Sequence, residues 1–486
     1  MQFMIQGRFI LFILGVFLCI LAGAMVIPAC MDLFYKDPDW VYFGESAAIT
    51  GFVGVLLTLG FLPEGEPIFE VRETFVLTVS SWVTISLFAA LPFMLSNAAP
   101  TFTDAFFEST SGLTTTGATV FTDLDYAPPG ILLWRSLLQW LGGVGIVVMA
   151  MTILPALKIG GMQLFRSEFS DRSEKYFPRV SQIASAILST YFLMSFLCGI
   201  AYWFAGMTPF QAICTMMSTV STAGFAISDL SLSYFDEPWI ELIAIVFMLM
   251  GSITLLLFTR FLQGDPKPLW RDSQVRVFLS LMGIASVLLT LWLWQTEEYD
   301  FFYAFRHASF AVVSITSTTG FTTIDFNTWG SFPLIFLFLL MFVGGCTGST
   351  AGGIKIFRYQ ILFKAAKHQI LQLRRPHGVF VPLYNNQRLI EADFMSVLAF
   401  FALYIFCYAA LALGYSLSGL DVISSLSGSA TILGNVGPGL GDQIGPSGNY
   451  GILPDPAKWL TIFGMLLGRL ELLTLIILFT PNFWRT

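Results

Sequence analysis

Apolar and polar positions along this chain alternate on the scale of a lipid bilayer, not on that of a globular core. Paired apolar runs cover 74–95 and 130–154, 182–206 and 238–259, 277–295 and 331–345, and 394–415 and 458–480, and a further run covers 9–29. Most have about the 20 residues a helix needs to cross a hydrocarbon core of about 30 Å. Between the members of each pair lies a shorter, partly apolar segment, such as 103–111 or 210–218. With about 10–13 residues at 1.5 Å each, these segments reach less than about 20 Å and must enter the membrane and turn back. The pattern predicts an all-α membrane protein made of helix, half-helix, helix units.

The turns that end the short segments share a register. Aligned on Gly117, Gly224, Gly320 and Gly437, the chain carries Ser111, Ser218, Ser314 or Thr431 six positions earlier and Ala105, Ala212, Ala308 or Ser425 twelve positions earlier. The turns read Ser-Gly-Leu-Thr-Thr-Thr-Gly-Ala, Ser-Thr-Val-Ser-Thr-Ala-Gly-Phe, Ser-Ile-Thr-Ser-Thr-Thr-Gly-Phe and Thr-Ile-Leu-Gly-Asn-Val-Gly-Pro. Spacings of this size mark domain-sized repeats, not solenoid units. Irregular backbone at membrane depth is tolerated where it is buried in protein or lines a water-filled cavity, so four such turns can enclose one pore. The predicted units are 1–68, an N-terminal extension, followed by pore repeats at 69–160, 161–265, 266–375 and 376–486.

Composition removes the soluble alternative: 56% of the 486 residues are hydrophobic and 11% charged, against about 25% charged in an average soluble domain. Gln6-Gly7-Arg8 before the run 9–29 imitates a secretory signal, but a signal core is only about 7–15 residues, so the run is read as a retained first helix. The six cysteines form no Cys-x-x-Cys pair and the three histidines share no helix face, so neither metal chemistry nor a nucleophilic triad is expected. The chain is not expected to be an enzyme, and no nucleic-acid partner is expected.

Charge orients the units. Sixteen of the 24 basic residues fall in 156–180, 260–276 and 355–391, while 73–134, 181–259, 277–305 and 389–457 hold no Lys or Arg. The basic linkers therefore face the cytoplasm, and each repeat leaves it and returns. Near the outer turns stand Asp104, Glu108, Asp123, Asp125, Asp229, Asp236, Glu237, Glu297, Glu298, Asp300, Asp325, Asp421 and Asp442. They form either a mouth that concentrates cations or a set of solvated loop acids.

The turns suit a dehydrated alkali cation. Rings of backbone carbonyls replace the hydration shell in potassium filters, and glycine supplies the backbone freedom such rings need. Threonine hydroxyls just before each glycine offer further oxygens, and the half-helices point their partly negative C-termini at the centre. An anion pore would instead want Arg, Lys or helix N-termini there, and the turns hold no Arg or Lys.

At these residues the chain resembles the TrkH and KtrB superfamily of potassium-uptake proteins, over nearly its entire length. Beyond the turns the resemblance rests on Gln139-Trp140-Leu141-Gly142-Gly143, Gly160-Gly161-Met162-Gln163-Leu164, Gly206-Met207-Thr208-Pro209-Phe210, the run 344–355 and Gly468-Arg469-Leu470-Glu471. It implies ten transmembrane helices and four re-entrant pore helices in a multi-pass protein of the bacterial cell inner membrane. It also implies a homodimer with one pore per protomer and K+ as the transported ion. The residues matching the coordinating turns are Thr115, Thr116 and Gly117; Thr222, Ala223 and Gly224; Thr318, Thr319 and Gly320; and Asn435, Val436 and Gly437. Relatives with serine at the first filter glycine tend to pass sodium, and Gly117 keeps the potassium form.

Three further features await the structure. The segment 344–353 holds too many glycines for a continuous helix; the resemblance makes it a gate beneath the filter, and the alternative is a fixed kink. Arg469, a charge inside an apolar run, is expected to face the pore or a carboxylate, but not Glu471, since residues two apart do not face each other. The linker 355–391 reads as a snorkelling interfacial helix, and by resemblance docks a cytosolic nucleotide-binding ring like TrkA. The competing function is a proton-coupled secondary cation transporter, although inverted repeats are usual there and all four repeats here start and end on the basic side.

Overall fold

The computed structural model describes residues 7–63, 71–96, 98–152, 180–297, 299–378, 380–385 and 387–485. Glu298, the basic stretch 156–179, the motif at 160–164 and the unit boundaries at 68 and 160 lie outside the described residues.

The N-terminal extension folds as α1 (Gly7–Tyr35) and α2 (Trp40–Gly60). The two helices touch through glycines: a Cβ added to Gly15 would lie 2.7 Å from the Thr58 nitrogen, and one on Gly54 would lie 2.9 Å from that of Cys19. The first repeat is α3 (Val71–Ala89), the half-helix α4 (Phe102–Leu113) and α5 (Pro129–Thr152). The second is α6 (Val180–Phe204), α7 (Pro209–Val220) and α8 (Pro238–Gly251), which bends by 97° into α9 (Leu255–Leu262). The third is α10 (Ser273–Thr296), α11 (Phe301–Thr316) and α12 (Ser331–Leu340), followed by a loop and α13 (Ile356–Arg374). After a hairpin pairing Leu383–Tyr384 with Gln387–Arg388, the fourth comprises α14 (Glu391–Leu417), α15 (Val422–Gly434) and α16 (Asp455–Arg469), which turns by 116° into α17 (Leu472–Ile476).

Among the described residues seven helices are long and apolar enough to span a membrane, and nine if each bent pair counts once. The remaining expected span, 331–345, stops at Leu340 after ten helical residues. Beyond it the backbone runs tightly against the following loop, where a Cβ on Gly344 would lie 2.1 Å from the Gly352 carbonyl oxygen. Large apolar side chains such as Phe52, Phe196, Ile284 and Phe406 stand exposed on the outside, as a lipid-facing surface requires, while serines and threonines crowd the interior around the turns.

The half-helices have 12, 12, 16 and 13 residues, about 18–24 Å at 1.5 Å per residue, short of a membrane core. Each starts from a side-chain cap: Thr101 Oγ1 accepts from Asp104 N–H, Thr208 and Gln211 form a capping box, Asp300 accepts from Phe302 N–H, and Asp421 accepts from Ile423 and Ser424 N–H. These caps satisfy the N–H groups that a helix start leaves free.

Candidate functional site

All four half-helices end in the same way. The amide of the residue before each filter glycine donates back to the carbonyl six positions before that glycine: Thr116 to Ser111 at 2.9 Å, Ala223 to Ser218 at 3.0 Å, Thr319 to Ser314 at 2.9 Å and Val436 to Thr431 at 2.8 Å. A second bond joins Thr115 to Gly112, Thr222 to Thr219, Thr318 to Ile315 and Asn435 to Ile432. This is a Schellman ending, which sets one residue in the left-handed region. That residue is Thr115, Thr222, Thr318 or Asn435, with φ of 50°, 51°, 58° and 54°. Asparagine tolerates that region, whereas β-branched residues there are outliers that mark functional strain. The glycines two positions on are also at positive φ: 81°, 88°, 80° and 105° for Gly117, Gly224, Gly320 and Gly437.

The four turns meet in a closed ring. A Cβ on Gly117 would lie 2.1 Å from the Ala223 oxygen, one on Gly224 1.9 Å from that of Thr319, one on Gly320 2.0 Å from that of Val436, and one on Gly437 2.6 Å from that of Thr116. Each strand thus presses a carbonyl against the glycine of its neighbour, and the fourth closes on the first. All four glycines line one cavity of ≈ 270 Å³, with Asp123 and Asp229 at its mouth. Every expected filter residue is buried here except the glycines Gly117 and Gly224, which are half-buried toward the cavity.

Residues 58–486 match the family described as TrkH, cation transport protein. The chain belongs to the TrkH family. It is 43% identical to the Trk system potassium uptake protein TrkI of Halomonas elongata, over 98% of this chain and 96% of that one. It is 38% identical to TrkH of Vibrio parahaemolyticus, over 99% and 100%, and 38% identical to TrkH of Escherichia coli K12, over 97% and 98%. The crystal structure of the potassium transporter TrkH from Vibrio parahaemolyticus superposes with a TM-score of 0.91, at 36% identity and complete coverage of both chains. This TrkH-family chain is a multi-pass membrane transport protein and not an enzyme.

In this TrkH-family chain the side-chain hydroxyls around the ring are mostly committed to the protein. Thr116 pairs with Thr114, and Thr319 with Ser317, both at 2.7 Å. Gly352 N–H donates to Thr318 Oγ1 at 2.6 Å, and Thr222 Oγ1 to Thr350 Oγ1 at 3.2 Å. Thr115 Oγ1 has no protein partner. The Asn435 amide donates to Thr116 Oγ1 at 2.9 Å and to the Met465 carbonyl at 3.0 Å.

The segment 344–353 therefore lies directly against the turns at Thr222 and Thr318. Its glycines serve close approach: a Cβ on Gly352 would lie 2.4 Å from the Gly434 carbonyl oxygen. Thr350 Oγ1 donates to the Val220 or Gly251 carbonyl, at 3.0 and 2.9 Å. Arg469 Nη1 donates to the Thr350 carbonyl at 3.0 Å, and the Lys355 ammonium donates to that of Ala351. Arg469 thus faces the loop and a small cavity beneath the filter, not a carboxylate. Glu471 instead pairs with Arg358 at 2.6 Å. Arg358 is fully buried, with Phe400 stacked 3.7 Å from its guanidinium carbon, so the start of α13 is a core element; only its later turns, with exposed Phe363, Ile370 and Leu373, have the interfacial character expected of the linker.

Two acids expected near the mouth are buried instead. Glu108 receives Arg135 Nε at 2.8 Å and the Val120 N–H at 3.0 Å. Asp104 receives the Lys458 ammonium at 2.6 Å. A third pair joins Arg306 to Glu241 at 2.7 Å. The signal for Arg135 was in the sequence: like Arg469, it is a charge inside an apolar run, where a partner is required.

Proposed function

We propose that this chain takes up K+ across the bacterial inner membrane through a filter of main-chain carbonyls contributed by four pore repeats, 69–160, 161–265, 266–375 and 376–486. The observation that carries the reading is the closed ring in which Thr116, Ala223, Thr319 and Val436 each set a carbonyl beside the preceding strand's glycine. A ring of oxygens contributed by four backbones can substitute for the hydration shell of an alkali cation. Because most nearby hydroxyls are already bonded, the carbonyls carry the coordination at Thr116, Gly117, Ala223, Gly224, Thr319, Gly320, Val436 and Gly437, and Thr115 adds a side-chain oxygen at the inner end. Relatives named as potassium uptake proteins at 38–43% identity support K+ as the ion.

In the same reading, the segment 344–353 is the gate. It is held shut by Thr222, Thr318, Arg469 and Lys355, and it is released when α13 is moved by a TrkA-like nucleotide-binding ring. Each protomer of a homodimer carries its own pore. The test is ion flux into proteoliposomes with K+, Rb+ or Na+ as the only permeant cation. K+ and Rb+ should enter far faster than Na+, and Gly117→Ser should narrow the difference, because its Cβ would displace the Ala223 carbonyl. Equal selectivity in that variant contradicts the filter assignment.

A further inference from the structure

The four filter strands fall into two kinds. In strands one and three a hydroxyl of the strand's own half-helix holds the carbonyl just past the glycine. Ser111 Oγ donates to the Ala118 carbonyl at 2.5 Å and Ser314 Oγ to that of Phe321 at 2.6 Å, and each strand adds its own hydroxyl pair, Thr114 with Thr116 and Ser317 with Thr319. In strands two and four both devices are missing. The equivalent hydroxyls of Ser218 and Thr431 are buried without a hydrogen-bond partner, and the residues before the glycine, Ala223 and Val436, have no hydroxyl.

Strands two and four are held instead by side chains from outside. Gln139, fully buried on α5, donates its amide to the Ala223 carbonyl at 3.0 Å and accepts from the Phe225 N–H at 3.2 Å. Its amide group therefore bridges the strand across Gly224, as a neighbouring peptide would in a β-ladder. Tyr450 donates its hydroxyl to the Gly437 carbonyl at 2.9 Å, while its N–H donates to the Thr119 carbonyl at 3.0 Å. The motif at 139–143 thereby gains a role: Gly142 and Gly143 let α5 press on Leu113 and Ser221, where added Cβ atoms would lie 1.8 Å and 2.8 Å from protein atoms, and so bring Gln139 to its strand.

We infer that Gln139 and Tyr450 are positioning residues for ion selectivity, fixing the carbonyls of the two filter strands that cannot fix their own. The inference rests on the carbonyl-filter reading. In this arrangement the filter is two-fold in its supports although four-fold in its backbone. A carbonyl free to tilt adapts to a smaller ion, so loss of either support relaxes discrimination against Na+ without abolishing the pore.

The experiment compares Gln139→Met, Tyr450→Phe, Gly117→Ser and a control, Tyr415→Phe, in the full-length protein reconstituted in proteoliposomes. The readout is relative K+, Rb+ and Na+ permeability, with elution profile and thermal midpoint measured in parallel. Tyr450→Phe removes one oxygen and keeps the ring beside Phe107, whose centroid is 5.7 Å away, so it folds even if Gln139→Met does not. Tyr415 also has a buried hydroxyl bond, to Thr461 at 2.7 Å, and that bond is made to no residue of the four turns. Both support variants should lower the K+ over Na+ ratio by roughly five-fold, the scale of one hydrogen bond, and the control should leave it unchanged. An altered ratio in Gly117→Ser with unaltered ratios in Gln139→Met and Tyr450→Phe overturns the inference and leaves the filter standing. Unaltered ratios in all three overturn the filter reading itself.

Discussion

Thr115, Thr222 and Thr318 occupy a backbone region that β-branched side chains disfavour by roughly 1–2 kcal/mol each, and the Schellman hydrogen bonds hold them there. Charged residues around the filter are similarly over-determined. Arg135 donates to Glu108, to the Ala226 carbonyl at 2.9 Å and to Thr119 at 3.1 Å, with its guanidinium carbon 4.2 Å from the centre of the Phe225 ring. Removing one member of such a buried pair strands the other charge, at a cost of about 3–5 kcal/mol. Arg135→Met should therefore lower the thermal midpoint strongly, whereas Arg306→Met, whose side chain is 26% exposed, should lower it much less. Equal midpoints for the two variants would show that burial does not govern these pairs.

At the level of elements, the segment 344–353 is a folded part of the core. Gly344 N–H donates to the Ile354 carbonyl at 3.0 Å, Cys346 N–H to that of Ser252 at 2.8 Å, Thr347 N–H to Gln274 Oε1 at 3.0 Å and Leu255 N–H to the Gly348 carbonyl at 3.1 Å. At about 0.5–1.5 kcal/mol per net hydrogen bond, opening of the proposed gate must be driven. Thr350→Val deletes the hydroxyl's bond to the Val220 or Gly251 carbonyl and the one it accepts from Thr222, and should raise basal K+ flux in liposomes several-fold. Deletion of the loop should raise it further, and wild-type flux in both would make the segment a fixed kink. The Arg358–Glu471 pair ties α13 to the break between α16 and α17. A double-mutant cycle of Arg358→Met and Glu471→Met should show that the double variant is more stable than either single one. Additive losses would mean that the two charges are not coupled.

Across the whole molecule, the proposed uptake gives the remaining mouth acids a role at longer range. Asp123 and Asp229 are exposed at the rim of the cavity, and under the proposed function their field raises the local cation concentration. Asp123→Asn with Asp229→Asn should slow K+ uptake at low ionic strength. The deficit should fade near 0.1 M salt, where the screening length is about 10 Å. A deficit independent of salt would assign these acids a local structural role.

The sequence by itself determined that the chain crosses a membrane many times, the order of its long and short helices, and the four glycines that meet in one ring. Those properties follow from run length and register, each of which is local in the chain and set by the bilayer as solvent. Tertiary structure alone decided which strand borrows Gln139 or Tyr450, that Asp104 and Glu108 answer Lys458 and Arg135, that Arg358 is buried, and that Arg469 grips the Thr350 carbonyl. Such pairings need donor and acceptor aligned within about 3 Å. Their members stand tens to hundreds of positions apart, as Asn435 and Thr116 do, so no periodicity of the sequence records them.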